Sequence, residues 1–501
     1  MLMTANHPAP YSLSPPDSWL RDQSVLVLGL GDTGLSCVHW LLAQGARVSV
    51  ADTRANPPHA ATLGREYPQV ALHCGALTDV LLQSASLIVA SPGVPLSTPA
   101  LQAALARGQE VLGDVELFAR TVQSWSTPPR VVAITGSNGK TTVTTLVGEI
   151  ARAAGLSCQV LGNIGTPVLE GLHTLGPAEV YVLELSSFQL ETTHTLQLLA
   201  GTVLNVTEDH LDRYAHMAAY AGAKARIFRH CALQVVNRQD PWSRSMADAQ
   251  AQHEGALHTA RKCLGFGLDA PDAPGNWGLQ PIVQTQQTAP APAWICCGQE
   301  QVLRTDRLAL QGLHNVANVM AALALADALG IARRISVPVV QGFKGLPHRV
   351  EWVARINGVT YLDDSKGTNV GATVAALTGL AGPVVLIAGG DGKGQDFAPL
   401  KPALARNGRA VILIGRDAGR IRRALEGCPV PQHLAGSLEQ AVQWAAQCAQ
   451  AGDQVLLSPA CASFDMFRDY QHRAQVFIQA VQALAPDGDS QAATDHSGSQ
   501  P

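Results

Sequence analysis

Lysine is scarce in this chain of 501 residues, in which it supplies only seven of the 35 basic side chains. Charged residues form 15% of the chain, the net charge is −4, and no block of like charges stands out. Nucleic-acid-binding proteins normally carry a basic patch, so we expect no nucleic-acid partner. The chain also lacks an uninterrupted apolar run of about 18 residues, the length that spans a membrane. We therefore expect no membrane segment.

Cysteine pairs with metal-binding spacing are also absent. Among the ten cysteines only Cys296 and Cys297 are adjacent, and no C-x-x-C spacing occurs. This pattern argues against a disulfide framework or a zinc ribbon and favours a reducing compartment. The first residues, MLMTANHPAP, do not combine a charged segment with an apolar one, as a signal peptide would. These observations predict a cytoplasmic protein.

Hydrophobic residues make up 47% of the chain, which is enough for several cores. At roughly 150 residues per domain, the length predicts about three domains. Apolar strands repeatedly run into small-residue loops that precede helices, which is the alternating pattern of a parallel α/β sheet. The stretch at about 265–304 is rich in Pro, Gly and Gln and predicts loops and short strands. The predicted fold class is α/β.

The sharpest motif is TGSNGKTT at 135–142, which follows an apolar strand and opens a helix. Glycines in such a loop let backbone N–H groups approach phosphate oxygens, and the helix N-terminus adds positive potential. Ile134 stands where the strict phosphate-loop pattern has its first glycine, and a plain strand-to-helix turn is the alternative. The motif predicts a nucleotide site formed by Gly136, Ser137, Asn138, Gly139, Lys140, Thr141 and Thr142, with Lys140 on the phosphates and Thr141 on Mg²⁺.

A second glycine-rich turn, GLGDTG at 29–34, also lies between a predicted strand and a predicted helix. Asp52 ends the next strand, about 20 residues further on, as in dinucleotide-binding proteins. Strand, turn, helix and acid together indicate a nucleotide-like ligand, which could be any ribose or sugar nucleotide as well as NAD. Tight packing of the helix on the strand is the alternative.

Polar clusters follow several other predicted strands. Glu184 in LELSSFQLE suits a Mg²⁺ ligand, with a surface carboxylate as the alternative. His210 in NVTEDHLDRY is either a site residue or a structural histidine. Further polar loops are GLHNVAN, DDSKGTN and GGDGKG, each of which could also be a helix cap or a solvated turn. Loops after parallel strands gather at one sheet edge, so these are candidate ligand positions.

Together, these motifs resemble those of the Mur ligases, the ATP-dependent amino-acid ligases of peptidoglycan synthesis. The resemblance runs from about Val25 to Phe477 and rests on TGSNGKTT, LELSSFQLE, NVTEDHLDRY, GLPHRVE, DDSKGTN, GGDGKG and SPACASFD. It implies a Rossmann-like N-terminal domain for the UDP end of the substrate, a central P-loop ATPase-like domain with a parallel sheet, and a Rossmann-like C-terminal domain for the amino acid. The expected bounds are 1–117 (with a flexible lead-in at 1–20), 118–345, 346–485 and a disordered tail at 486–501.

Within the family, GLGDTG together with NVTEDHLDRY and SPACASFD is most similar to the members that add D-glutamate. This implies ATP-dependent ligation of D-glutamate to UDP-N-acetylmuramoyl-L-alanine in cytoplasmic peptidoglycan precursor synthesis. The substrate carboxylate would attack the γ-phosphate of ATP, and the amine of D-glutamate would displace phosphate from the resulting acyl phosphate. The implied cofactors are ATP, Mg²⁺ at two sites, and CO₂ carried as a carbamate on Lys224. The two substrates are the expected partners, and a monomer is expected.

The resemblance also implies roles for individual residues. Those assigned to catalysis are Lys140, Glu184, His210 and Lys224. Those assigned to metal binding are Thr141, Glu184, His210 and the carbamate of Lys224. Beyond the phosphate loop, those assigned to ATP are Asn318, Arg349 and Asp364. Those assigned to the UDP substrate are Asp32, Thr33, Asp52, Thr53, Arg54, Gly93, Asn163, Ser186 and Gln189. Those assigned to D-glutamate are Thr368, Lys393, Ser463 and Tyr470. Asp32 departs from the apolar residue expected at its position.

Three alternative functions stay open at this point. The first is a sister enzyme that adds L-alanine, or a glutamate ligase of the folate type. The second is an NAD-dependent oxidoreductase, which would explain GLGDTG but not the phosphate loop. The third is a nucleotide-binding regulatory module without ligase activity. Assays with ATP, the UDP substrate and single amino acids separate all three.

Overall fold

A computed structural model describes residues 18–246, 262–282, 292–310, 312–380 and 382–484. The predicted lead-in up to residue 17 and the predicted tail at 486–501 lie outside these ranges. Three α/β units follow one another along the described chain, each built around one mainly parallel sheet. The α/β fold class that the sequence predicts is confirmed.

The N-terminal unit has a five-stranded parallel sheet in the order β3-β2-β1-β4-β5. Strands in such sheets are apolar throughout because helices cover both faces, as in the SVLVL of the first strand. The strands are β1 (Ser24–Leu28), β2 (Arg47–Asp52), β3 (Ala71–Cys74), β4 (Leu87–Ala90) and β5 (Glu110–Leu112). The helices are Asp32–Ala43, Ala60–Glu66, Asp79–Gln83, Pro99–Ala106 and Asp114–Gln123.

The central unit has nine strands among the described residues, in the order β14-β13-β12-β11-β10-β9-β6-β8-β7. All neighbours are parallel except at one edge, where β12, β13 and β14 form antiparallel pairs. The strands are β6 (Arg130–Thr135), β7 (Cys158–Gly162), β8 (Val180–Glu184), β9 (Leu198–Val203), β10 (Cys231–Asn237), β11 (Lys262–Phe266), β12 (Trp277–Pro281), β13 (Ala293–Cys297) and β14 (Glu300–Arg304). The helices include Lys140–Ala153, Val168–Thr174, Ser187–Glu191, Met217–Ala225, Leu313–Ala328 and Arg333–Gly342.

The C-terminal unit has six described strands in the order β15-β16-β20-β17-β18-β19. Only the edge strand β15 runs antiparallel to its neighbour. The strands are β15 (Glu351–Ile356), β16 (Val359–Asp363), β17 (Val384–Gly389), β18 (Gly408–Ile414), β19 (Gln432–Leu434) and β20 (Gln454–Leu457). The helices are Val370–Gly379, Leu400–Asn407, Ala418–Ala424, Leu438–Cys448 and Tyr470–Gln482.

The hydrophobic cores of the first two units are continuous. Phe118, in helix Asp114–Gln123, packs edge-on against Tyr181 of β8, with ring centroids 5.1 Å apart. The border expected between 117 and 118 falls inside this helix, because its apolar face packs against both units. The border expected between 345 and 346 falls in the connection after helix Arg333–Gly342. Within the described ranges, no helix combines the length and apolar character that a membrane crossing needs.

Candidate active site

The sequence motifs lie at the carboxyl ends of three adjacent strands in each sheet. In the N-terminal sheet these strands are β2, β1 and β4, in the central sheet β9, β6 and β8, and in the C-terminal sheet β16, β20 and β17. Ligands bind preferentially at this edge of a parallel sheet. The three edges provide the loops from which the candidate site is built.

The phosphate loop joins β6 to helix Lys140–Ala153. Gly139 starts the helix with a φ of +84°, which glycine adopts without strain, and a Cβ there would lie 2.4 Å from Oδ1 of Asn318. The loop is tied to the end of β9, since Ser137 N donates to Asn205 O at 2.8 Å and Asn138 N donates to Asn205 Oδ1 at 2.9 Å. The loop is therefore held in shape by its own neighbours.

Two lysines converge on this loop. Lys140 Nζ donates to the carbonyl oxygens of Gly136 at 2.8 Å and Ser137 at 2.9 Å. Lys224, on helix Met217–Ala225, is 1% exposed and donates to the same Gly136 oxygen at 3.0 Å. Burial, together with the charge of Lys140, holds the pKa of Lys224 well below its usual value. The structure thus brings Lys224 to the phosphate loop, 88 residues away in sequence.

Glu184 and His210 flank this pair of lysines. Asn163 Nδ2 donates to Glu184 Oε1 at 2.9 Å, whereas the buried Oε2 has no hydrogen-bond partner among the described residues. The His210 backbone has a φ of +56°, and burial lowers the pKa of its ring to about 4. An unpaired carboxylate oxygen and a neutral imidazole are both donors that a divalent cation accepts. These residues therefore fit a metal ion.

Arg349 connects the C-terminal unit to the phosphate loop. Its Nη2 donates to Thr141 Oγ1 at 2.9 Å, while its buried Nε has no partner in the described part of the chain. Asp364 is buried and accepts from Ser458 at 2.7 Å, and burial raises its pKa to about 7. Arg349, Asp364 and Asn318 line one cavity of about 320 Å³ beside Asn138 and Gly139. The structure thus brings together the residues predicted to bind ATP.

A second cavity, of about 580 Å³, lies at the glycine turn of the N-terminal unit. A Cβ on Gly34 would lie 1.9 Å from Gly29 O, so the turn requires glycine there. Of the residues predicted for the UDP substrate, all except Ser186 line this cavity: Asp32, Thr33, Asp52, Thr53, Arg54, Gly93, Asn163 and Gln189. Ser186 caps helix Ser187–Glu191 through a reciprocal pair of hydrogen bonds with Gln189.

Asp52 has local partners rather than a free carboxylate. It accepts from Leu30 N at 2.8 Å and from Arg54 Nη2 at 2.6 Å. The hydrogen bonds from Arg54 lower the pKa of Asp52 to about 2. At the cavity mouth, Asp32 Oδ1 lies 2.7 Å from Nε2 of His59. Arg54 is therefore bound by Asp52 in this structure.

Three of the residues predicted for D-glutamate lie on three joined loops, and the fourth, Tyr470, opens helix Tyr470–Gln482. Ala460 N donates to Gly367 O at 2.9 Å, next to Thr368, and Asp391 pairs with Ala462, which places Lys393 and Ser463 on adjacent loops. Ser365 Oγ donates to the carbonyl oxygen of Tyr470 at 2.8 Å. Two hydrogen bonds and one backbone bridge thus hold these loops together.

Lys393 reaches the central unit, where it pairs with Asp209. Burial works to raise the pKa of Asp209, but the charge of Lys393 and its hydrogen bond hold it below its usual value. Asn138 and Asn369 exchange hydrogen bonds of 3.1 and 3.0 Å through their side-chain amides. The C-terminal and central units are therefore in direct contact at the site.

Sequence reasoning did not assign Asp209, Asn369 or Lys366 to the site. Lys366 lies 4.8 Å from the ring centroid of Tyr470, and burial lowers its pKa. All three lie inside motifs that the sequence analysis singled out. Their position next to predicted residues was the available signal. The partners of Asp209 and Asn369 lie in another domain, whereas Tyr470, the partner of Lys366, lies in the same C-terminal unit.

Three protein families match the chain. A Mur ligase MurD-like N-terminal domain matches residues 23–113, a Mur ligase middle domain matches 134–326, and a Mur ligase glutamate ligase domain matches 348–461. The three matches follow the three α/β units described above.

Curated relatives match over nearly their full length. A UDP-N-acetylmuramoylalanine--D-glutamate ligase of Methylobacillus flagellatus is 55% identical, over 93% of this chain and 98% of that protein. The protein of the same name from Thiobacillus denitrificans is 52% identical, over 93% of this chain and 97% of that protein.

Solved structures at low identity share the fold. A MurF ligase from Thermotoga maritima, in complex with ADP, has a TM-score of 0.58 at 16% identity and covers 93% of this chain and 96% of its own. The MurC ligase from the same organism has a TM-score of 0.57 at 18% identity and covers 92% of this chain and 100% of its own. The three-domain arrangement and the identity with curated relatives place the chain in the Mur ligase family.

Proposed function

We propose that the protein ligates D-glutamate to UDP-N-acetylmuramoyl-L-alanine, converting ATP to ADP and phosphate. The observation that carries this proposal is the meeting of loops from the central and C-terminal units around the phosphate loop. Thr141 is bonded to Arg349, Asn138 to Asn369, and Asp209 to Lys393. Relatives of this name at 55% and 52% identity support the same reaction. An oxidoreductase would leave the phosphate loop without a role.

Each substrate has a candidate position. ATP would lie in the cavity of about 320 Å³, with its phosphates at the start of helix Lys140–Ala153. The UDP group would lie in the cavity of about 580 Å³ at the glycine turn. D-glutamate would bind near Thr368, Lys393, Ser463 and Tyr470, where an ammonium from Lys393 matches a carboxylate. Asn163 and Gln189 would lie along the path between the UDP cavity and the phosphate loop.

A carboxylate is a poor acyl donor at neutral pH, and phosphorylation supplies a leaving group. The carboxylate of the UDP substrate attacks the γ-phosphorus, and the bond to the bridging oxygen of ADP breaks. The amine of D-glutamate then attacks the acyl carbon, loses a proton, and expels phosphate. Both reactants in the first step are anions, so Lys140, Arg349 and the helix N-terminus must offset their repulsion.

We also propose that Mg²⁺ binds at two places, held by Thr141, Glu184, His210 and a carbamate on Lys224. The buried, unpaired Oε2 of Glu184 supports a cation there. The lowered pKa of Lys224 supports a neutral amine, which can take up CO₂ and release one proton to form a carbamate. When bound, Mg²⁺ neutralises phosphate charge. The residues of this chain orient the phosphates and exclude water.

We further propose a cytoplasmic, monomeric enzyme with domains at 1–117, 118–345 and 346–485. Cys37, Cys296 and Cys461 are buried free thiols, which suits a reducing compartment. Size-exclusion chromatography with light scattering tests the monomer, and limited proteolysis followed by mass spectrometry tests the borders.

The reaction itself is tested by phosphate release from the full-length enzyme. The enzyme is given ATP, Mg²⁺, UDP-N-acetylmuramoyl-L-alanine and one amino acid at a time. We expect release with D-glutamate and not with L-glutamate, L-alanine or glycine. Equal release with L-alanine, or release that does not require the UDP substrate, would overturn the proposal. In a parallel assay with NADH in place of ATP, a change in nicotinamide absorbance would instead support the oxidoreductase alternative.

A further inference from the structure

Arg213 lies at the border between the N-terminal and central units. Its backbone N–H and that of Tyr214 both donate to the carbonyl oxygen of His210, each at 3.0 Å. The position of Arg213 is therefore fixed relative to His210 by a tight turn. The side chain leads away from this turn and is only 13% exposed.

The guanidinium of Arg213 reaches the wall of the UDP cavity. Nη1 donates to Pro92 O at 2.7 Å, and Nη2 lies 3.5 Å from Val94 O. Pro92, Gly93 and Val94 all line the cavity of about 580 Å³. The preceding residue, Ser91, bonds to the glycine turn through Oγ to Gly29 O at 3.1 Å. Arg213 thus contacts the loop that closes one side of the cavity.

The same guanidinium is held on the central unit by two further contacts. Nη2 lies 3.0 Å from Glu191 Oε2, and the guanidinium carbon lies 4.0 Å from the ring centroid of Phe188. Phe188 meets the imidazole of His210 edge-on, with ring centroids 4.8 Å apart. One planar cation therefore touches the cavity wall, the ion-pair partner and the aromatic ring that packs on His210.

We infer that Arg213 is a positioning residue that fixes the distance between the nucleotide cavity of the N-terminal unit and His210 of the central unit. The inference rests on the proposed function, in which one substrate spans both places. A rigid link matters because a misplacement of about 1 Å can lower a rate by about a hundredfold. Arginine suits the task because its planar fork offers several donors in fixed directions, which a lysine does not.

The test compares Arg213→Lys with Arg226→Lys in the full-length enzyme. Arg226 donates to Leu190 O at 2.6 Å and to Thr193 O at 3.3 Å, so it supports the same helix, and none of its hydrogen bonds among the described residues goes to the cavity loop at Pro92 and Val94. For Arg213→Lys we expect kcat/KM for the UDP substrate to fall about tenfold or more. The Kd for UDP and the KM for ATP should stay within about twofold, because no cavity or phosphate-loop side chain is lost.

Several outcomes would overturn the inference. One is wild-type turnover in Arg213→Lys, and another is an equal loss in Arg226→Lys. A loss of UDP affinity that accounts for the whole effect would mean that Arg213 supports the cavity locally. If Arg213→Lys does not fold, Glu191→Gln is the second variant. It removes the charge that pairs with the guanidinium of Arg213, and it should lower kcat/KM for the UDP substrate by a smaller factor. Failure of the wild-type enzyme to bind UDP or to need D-glutamate would instead count against the proposed function.

Discussion

Lys140 and Lys224 donate to one acceptor, the carbonyl oxygen of Gly136, at 2.8 and 3.0 Å. Two ammonium groups on one oxygen would repel each other. Burial and the charge of Lys140 hold the pKa of Lys224 well below its usual value, which favours the neutral form of its amine. A neutral amine has the lone pair that reaction with CO₂ requires, which gives the first prediction its basis.

Lys224→Ala should be nearly inactive, and a short carboxylic acid in excess should restore part of the activity. The wild-type enzyme should lose activity in CO₂-depleted buffer and regain it with bicarbonate. Lys401→Ala, on helix Leu400–Asn407, is the matched control and should behave as wild type. Trapping of labelled CO₂ at Lys224 is the direct measurement. An unmodified Lys224 in a fully active enzyme would contradict the carbamate.

Lys140→Ala should lower kcat by about 10²–10³-fold, because a charge that stabilises the transferring phosphate is lost. The far-UV circular dichroism spectrum should not change, since the side chain bonds only to loop carbonyls. Lys262→Ala removes an exposed lysine of β11 and serves as the control. If Lys140→Ala turns over at close to the wild-type rate, the phosphate loop does not take part in the reaction.

Lys393→Ala should raise the KM for D-glutamate by about 10–100-fold, the effect of losing one charge-assisted hydrogen bond. The KM for ATP should change by no more than about twofold. Arg416→Ala is the control, because Arg416 pairs with Asp391 of the same loop but is 63% exposed. Equal increases in both KM values would mean that Lys393 serves the phosphates.

Asp114, at the start of helix Asp114–Gln123, predicts a pH-dependent stability. Burial raises its pKa to about 6. Between about pH 4 and pH 6 the folded protein keeps a proton that the unfolded chain has released, so the free energy of unfolding falls as the pH rises. Asp114→Asn should remove the contribution of Asp114 to this slope and add about 2–3 kcal/mol above pH 6. Thermal unfolding from pH 4 to pH 8 measures how the free energy of unfolding depends on pH. Glu66→Gln is the control at an exposed carboxylate. Parallel curves for wild type and Asp114→Asn would contradict the assignment.

Asp32 places a carboxylate at the N-terminus of helix Asp32–Ala43, beside the cavity proposed for UDP. Its side chain is 85% exposed and pairs with His59. A carboxylate near a diphosphate is repulsive, so Asp32→Asn should tighten UDP binding by about two- to fivefold at low salt. The gain should shrink as salt is added. Asp79→Asn, an exposed acid paired with Arg107, is the control. Weaker UDP binding by Asp32→Asn in titration calorimetry would show that the carboxylate takes part in binding.

The sequence predicted the parts of the site that lie within one sheet. Lys140 and Glu184 follow β6 and β8, which are neighbours, and parallel strands end at the same edge of a sheet. The three α/β units were also predictable, because the alternation of strand, small-residue loop and helix is local. The antiparallel strands β12 to β14 were only loosely predicted, since their stretch is rich in Pro and Gly.

Contacts between domains could not be derived in this way. The pair Asp209–Lys393 joins positions 184 residues apart, and Asn138–Asn369 joins positions 231 apart. No local periodicity encodes how one domain packs on another. Arg54 shows the opposite limit: the resemblance assigns it to the UDP substrate, but the carboxylate of Asp52, two residues away, pairs with it in this structure.

The placement of lysine has a consequence for chemical probes. Lys140, Lys224, Lys366 and Lys393 lie at the site, which leaves Lys262, Lys344 and Lys401 as the other primary amines in side chains. Arginine, which supplies the remaining 28 of the 35 basic side chains, does not react with ordinary acylating electrophiles. A weak acylating group attached to a substrate fragment would therefore meet few competing primary amines elsewhere on the protein. Covalent inhibitors directed at amines should be unusually selective for this site within the molecule.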